Sequence, residues 1–309
     1  MKWHSILFVV LGSMLWGTDS LFRRPLTQTL SPITIVSLEH LLLVIVMFPL
    51  IVASKKEIAS LNCRDWLALL FIAIGGSVAA TSLFTYSIKY GNPSVTVLLQ
   101  KTQPIFTFVL ARWLLSEEPG RWFWVCLPPA LAGAYLVSTP EWRAGLVLDP
   151  HQPDVILAAI GAACLWGSST VFGRYIVARL PVLVLTGLRF LIALPVLAAF
   201  YSVQSAPQRQ LPADLQSAAA IAAMALVPGL VALTFYYRGL KSTIATHASI
   251  GELAFPITAV MTNWLVLGIR LSASQMAGGF LLVGSVTVLT YLNARTGRSG
   301  RGKREPIPI

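Results

Sequence analysis

Lys101 stands in SVTVLLQKTQPIFTFVLARW (Ser94–Trp113), a stretch otherwise built for hydrocarbon, with Gln100 before it and Gln103 just after. An ammonium at the centre of a bilayer-spanning helix costs about 2.5–3.5 kcal/mol on insertion scales, so such residues face a bundle interior or a water-filled cavity. Glu39, His40, Arg189 and Glu252 sit in apolar runs of the same kind. Arg189 cannot neutralise itself, so it needs an anion, a dipole or water beside it. A carboxylate taken out of water holds its proton more tightly, and a nearby ammonium opposes that. Lys101 with Glu252, and Lys101 with Glu39, are therefore candidate pairs that could load and release a substrate or a proton. The same pairs could equally be structural, pinning helices together.

Neighbouring residues enlarge this set. Thr96, Gln100, Gln103 and Thr107 share one face at helical spacing, as do Ser249, Glu252, Pro256 and Asn263. Pro104 and Pro256 each remove a backbone hydrogen bond in mid-segment and predict bends there. Trp16 and Trp166 lie about 10 residues into their segments, too deep for an interfacial belt. They are candidates for an aromatic wall around a ligand, with packing as the alternative. Asp19 is four residues from Arg23, within reach of an ion pair.

Long apolar helices must position these residues. The chain has 309 residues, 56% of them hydrophobic and 11% charged, and a mean hydropathy of +0.73. Soluble domains carry about 25% charged residues, so the solvent of this chain is mostly bilayer. A span needs about 20 largely apolar residues. Ten can be read, at 5–22, 33–53, 66–88, 93–115, 121–139, 154–176, 181–201, 216–237, 244–267 and 273–292. Placing the termini inside distributes Lys and Arg over the loops roughly 15 to 6 in favour of the inner side, which predicts cytoplasmic termini in an inner or plasma membrane. The net charge of +11 is mostly this bias. Because the cations are scattered over short loops, no nucleic-acid partner is expected. The tail from 293 to 309 is basic and Gly-rich and reads as a disordered surface segment.

The chain also repeats itself. LWGTDSLFRR (Leu15–Arg24) echoes LWGSSTVFGR (Leu165–Arg174), and Pro32 and His40 align with Pro181 and Arg189. YSIKYGNPSVTVLLQKTQPIF echoes YRGLKSTIATHASIGELAFPIT, aligning Gln100 with Glu252 and Pro104 with Pro256. The period is about 150 residues, giving one unit over 1–140 and another over 154–292 with five spans each. An odd number of spans inverts the second copy, an architecture that puts the binding site at the repeat interface near the bilayer midplane. At about 1.5 Å per residue, Lys101 and Glu252 would then differ by only about 6 Å in depth. The fold class expected is an all-α membrane protein with ten transmembrane helices as a 5+5 inverted repeat.

These segments resemble the drug/metabolite transporter superfamily, in its EamA-type branch of ten-helix permeases. The paired LWG openings, the two long stretches just quoted, and the LLSEEP and LGIRLS ends carry the likeness, which covers roughly residues 5–292. It implies a central cavity and secondary transport, mostly export, of small metabolites such as amino acids. The family often has Gly-Glu-Arg after the fourth and ninth spans. Here Glu117 is kept in the first half, but Ile269 takes that place in the second.

Other classes fit less well. An exchanger of phosphorylated or nucleotide sugars would need more cavity cations than Lys101 and Arg189. An intramembrane enzyme or sensor would need paired catalytic groups, and Glu39 and His40 are chain neighbours. There is no GxSxG, no phosphate loop, no HExxH and no Cys/His cluster, so no catalytic residues, cofactor or metal are expected. The expected partners are a small-molecule substrate, membrane lipid and, as a candidate, protons.

Overall fold

The computed structural model describes residues 3–91, 96, 99–138, 153–267 and 272–299. Helix 1 runs Trp3–Trp16, breaks at Gly17–Thr18, and resumes as Asp19–Leu26. Helix 2 is Pro32–Ala53, started by Ser31, whose hydroxyl accepts the Thr34 N–H at 3.1 Å. Helix 3 is built from Cys63–Leu70, Phe71–Ala79 and Ala80–Tyr90 in sequence. Helix 4 is Gln103–Leu115 and helix 5 is Arg121–Ser138. Helix 6 is Pro153–Ile176 and helix 7 is Val182–Val203. Helix 8 joins Leu215–Met224, Ala225–Val231 and Ala232–Leu240. Helix 9 joins Ala245–Gly251, Glu252–Ala254 and Phe255–Leu267, and helix 10 is Ala273–Ser299.

Helices 1, 2, 3, 6, 7 and 8 are long and apolar enough to cross a membrane. Their outer faces carry large apolar side chains such as Ile45, Phe48, Val52 and Leu157 in exposed positions. A continuous apolar exterior over helices whose backbone bonds are internally satisfied suits hydrocarbon and not water.

Pairings follow the repeat. Helix 1 packs on helix 8, and its counterpart helix 6 on helix 3; helices 2 and 7 pair, as do 5 and 10. Two glycine contacts show the same symmetry. A Cβ at Gly17 would lie 2.5 Å from the Phe255 carbonyl oxygen in helix 9, and one at Gly167 would lie 2.9 Å from the Gln103 carbonyl oxygen in helix 4. Only a bare Cα allows these backbones so close, the small-residue packing typical of helices in lipid. The largest apolar core lies among helices 2, 3, 6, 7 and 8, around Leu43, Ile72, Leu185, Leu188 and Tyr237.

Regularity fails in repeat-related places. Helices 3 and 8 each widen into a π-helical segment, Phe71–Ala79 and Ala225–Val231, containing Gly75–Gly76 and Pro228–Gly229. Helix 4 is interrupted by a turn at Lys101–Thr102, and helix 9 by a 3₁₀ turn at Glu252–Ala254. Both turns come just before Pro104 and Pro256, whose rings lack the N–H that a continuous helix would use. Irregular backbone at membrane depth is tolerated where it is enclosed by protein or lines a cavity.

Several expectations change. Helix 1 reaches Leu26, four residues beyond the expected end, so Arg23 lies inside the bundle at 3% exposure instead of in a loop. Helix 10 continues to Ser299, because nothing in 293–299 stops it outright, so that part of the expected tail is helical. Thr96 and Thr107 serve helix contacts: Thr96 shares a hydrogen bond with Ser87 at 2.7 Å, and Thr107 donates to the Gln103 and Gly167 carbonyls. Residues 268–271, including Ile269, and the Asn263 side chain lie outside the described residues. Glu117, in the loop after helix 4, accepts the Ala245 and Thr246 N–H groups at 3.1 and 3.3 Å and so caps helix 9 from outside that helix.

Candidate functional site

A cavity of about 1100 Å³, counting its open mouth, lies between the two repeats. Trp16, Glu39, Gln100, Lys101, Gln103, Trp166, Arg189 and Glu252, spread over 237 sequence positions, all line it. The irregular segments of helices 3, 4, 8 and 9 supply much of the wall, which is where backbone departs from the helical ladder.

Glu252 is held by neutral groups. One carboxylate oxygen accepts Tyr236 OH at 2.8 Å and Thr170 Oγ1 at 3.1 Å, and the other accepts the Gln103 amide. Thr170 Oγ1 and Tyr236 OH are also 2.8 Å apart, closing a triangle of oxygens. Ser13 donates to the Glu252 backbone carbonyl at 2.6 Å, an acceptor exposed by the helix break. Lys101 makes no ion pair among the described residues. Its ammonium donates to Gln100 Oε1 at 3.2 Å and sits 4.3 Å from the centre of the Phe255 ring. The expected Lys101–Glu252 contact is thus replaced by polarisable and neutral partners for each charge.

Glu39 is not the partner of Lys101 either. Arg23 takes it, donating through Nη2 at 3.0 Å, and also bonds Asp19 at 2.5 and 2.8 Å and Thr85 at 3.3 Å. The longer helix 1 makes this possible by carrying Arg23 to the level of helix 2. Two carboxylates, Glu39 buried and Asp19 partly so, around one guanidinium leave a single negative charge, with every partner in hydrogen-bond range.

Arg189 donates from Nε to Ser77 Oγ at 2.8 Å and from Nη1 to Tyr237 OH at 2.9 Å. No anion pairs with it among the described residues. The two indoles take repeat-related positions. Trp16 packs on Tyr236 with ring centres 4.8 Å apart, and Trp166 on Phe84 at 5.1 Å. Trp166 also donates to the Gly76 carbonyl at 3.0 Å, an oxygen made available by the π-helical widening.

Arg23, Ser77, Ser169, Thr170, Tyr236 and Tyr237 line the cavity and were missed by sequence reasoning. A signal existed for two of them. Ser169 is the repeat counterpart of Asp19, and Thr170 follows it in LWGSST. Formal charges around the cavity balance: Arg23, Lys101 and Arg189 against Asp19, Glu39 and Glu252.

A bundle of two inverted five-helix repeats, broken at a shared polar and aromatic cavity, defines an integral membrane transporter. The chain belongs to the EamA-like transporter family, whose model matches residues 3–139 and 154–291, once for each repeat. It is 30% identical over 293 residues to the riboflavin transporter ImpX of Fusobacterium nucleatum, covering 93% of this chain and 97% of the relative. It is 22% identical over 310 residues to YicL, an inner membrane transporter of Salmonella typhimurium without an assigned substrate, covering 95% and 97%. A crystal structure at 18% identity superposes with a TM-score of 0.79 over 96% of this chain, a likeness of fold.

Proposed function

We propose that this protein is a secondary transporter that carries a small, planar, polar-edged metabolite of the riboflavin class across the cell membrane. Alternating access between the repeats would expose the cavity to each side in turn, with both termini cytoplasmic. The observation that carries the reading is the composition of the cavity. Aromatic pairs on both sides of the repeat axis, Trp16–Tyr236 and Trp166–Phe84, offer π-faces for a flat ring. Lys101, Arg189 and Glu252 have hydrogen-bonding capacity not consumed by ion pairs with one another. The balanced formal charge suits a neutral cargo better than a phosphorylated one, and the ImpX likeness agrees with a flavin.

A second reading has one specific observation behind it. An acid and two cations held apart in one cavity also suit a zwitterion, so export of an aromatic amino acid is the alternative. Purified protein in liposomes separates the two. Saturable uptake of riboflavin, followed by its own fluorescence, supports the first. Flux of tryptophan without flux of riboflavin moves the assignment to the second, and flux of neither refutes both.

A further inference from the structure

Arg189 has more donors than the protein uses. A guanidinium carries five N–H bonds in a fixed planar fork. Nε spends one on Ser77 and Nη1 one on Tyr237. The second Nη1 proton and both Nη2 protons have no acceptor among the described residues, although Arg189 is only 8% exposed. Buried cations are normally paired with anions, and here both acceptors are neutral hydroxyls.

A second group beside it is also unspent. Ser169 is 8% exposed, lines the cavity, and its hydroxyl has no hydrogen-bond partner among the described residues. Gly76 lies between the two. A Cβ there would press on the Ser169 hydroxyl and approach Arg189 Nη2 to 3.4 Å, so the missing side chain lets the hydroxyl pack against the Gly76 backbone close to the guanidinium. The repeat sharpens the contrast. At the corresponding places in the first half stand Asp19 and His40, and there Arg23 neutralises the acid.

We infer that Arg189, with Ser169, forms a subsite for a substrate edge bearing two adjacent hydrogen-bond acceptors. The N5 and C4=O edge of an oxidised flavin ring and the carboxylate of an amino acid share this chemistry. A guanidinium matches either in bidentate fashion, which a lysine cannot do. The inference rests on the cavity being the transport site, and it holds under both substrate readings.

The test uses the purified full-length chain in detergent, with melting temperature and ligand affinity as readouts. Ligands come in parent and blocked pairs: riboflavin with 5-deazariboflavin, and tryptophan with tryptamine. A residue kept for a ligand is dispensable to the empty fold, so Arg189→Gln and Ser169→Ala should melt within about 2 °C of wild type without ligand. A fall of more than about 5 °C in Arg189→Gln marks a structural residue and overturns the inference. Wild type should prefer one parent over its blocked form, and which parent it prefers tells flavin from amino acid. Arg189→Gln should lose about 10- to 100-fold in affinity for that parent, the range of a charge-assisted hydrogen bond, and should no longer tell it from the blocked form. Arg189→Lys should recover only part of the loss. A preference that survives in Arg189→Gln overturns the subsite. If wild type binds neither parent, both substrate readings fall, and the ligand-free melting comparison still decides whether Arg189 is structural.

Discussion

Replacing Glu252 by Gln and by Ala separates its charge from its hydrogen bonds. In Glu252→Gln the retained carbonyl oxygen still accepts Tyr236 OH and Thr170 Oγ1, now 2.8 and 3.1 Å away. The new NH₂ would face the Gln103 amide nitrogen, but turning the Gln103 amide over presents its oxygen and restores the bond. The fold therefore keeps its contacts, and the change should cost about 1 kcal/mol or less. What is lost is the negative charge opposite Lys101. If that charge holds a polar group of the substrate or a proton, transport should fall about 10- to 100-fold, worth about 1.4–2.8 kcal/mol. Glu252→Ala removes both acceptor oxygens and the three hydrogen bonds they accept. Tyr236 and Thr170 can still bond each other at 2.8 Å, which leaves the Gln103 amide to find water in the cavity. The expected loss of stability is about 1–3 kcal/mol, visible as a melting shift of a few degrees. Flux into liposomes and thermal melting in detergent read the two effects separately. Wild-type flux in Glu252→Gln would refute the argument, as would equal melting losses in the two variants, since the reasoning assigns charge to transport and acceptors to the fold.

Three further outcomes are expected. In a background lacking Cys63, Cys126 and Cys164, a cysteine at position 209 should react with an impermeant thiol reagent added outside and one at position 55 should not; the reverse pattern inverts the topology. Trp16→Phe and Trp166→Phe should each reduce the fluorescence change on substrate binding, and Trp166→Phe should also destabilise the empty protein because the Gly76 carbonyl loses the indole and keeps only the longer Thr81 hydroxyl contact at 3.4 Å, so equal melting of the two variants counts against the assignment. Burial holds the Glu117 carboxyl above the ordinary carboxylate range despite two backbone N–H donors. The folded state therefore binds its proton more tightly than the unfolded state does. Stability should rise, relative to Glu117→Gln, as pH falls from above the raised value toward the ordinary 4.5, and an unchanged difference across that range refutes it.

By itself the sequence determined the membrane class, the two five-helix units and part of the cavity lining. The physical reason is that hydrocarbon tolerates charge so poorly that each exception is visible: Lys101, Arg189 and Glu252 stand out from their apolar neighbours, and Pro104 and Pro256 match between the repeats where helices 4 and 9 break. The repeat was readable because inversion preserves local sequence, so Trp16 and Trp166 matched without any knowledge of their contacts. Partner choice was decided only by the tertiary structure. Nothing local says that helix 1 runs on to Leu26 past the Gly17–Thr18 break, and that extension gives Glu39 to Arg23 and withholds it from Lys101. The hydroxyls around Glu252 come from helices 6 and 8, and those around Arg189 from helices 3 and 8. A serine, threonine or tyrosine costs too little in a membrane helix to announce itself, so its role depends on which charged group the packing brings beside it.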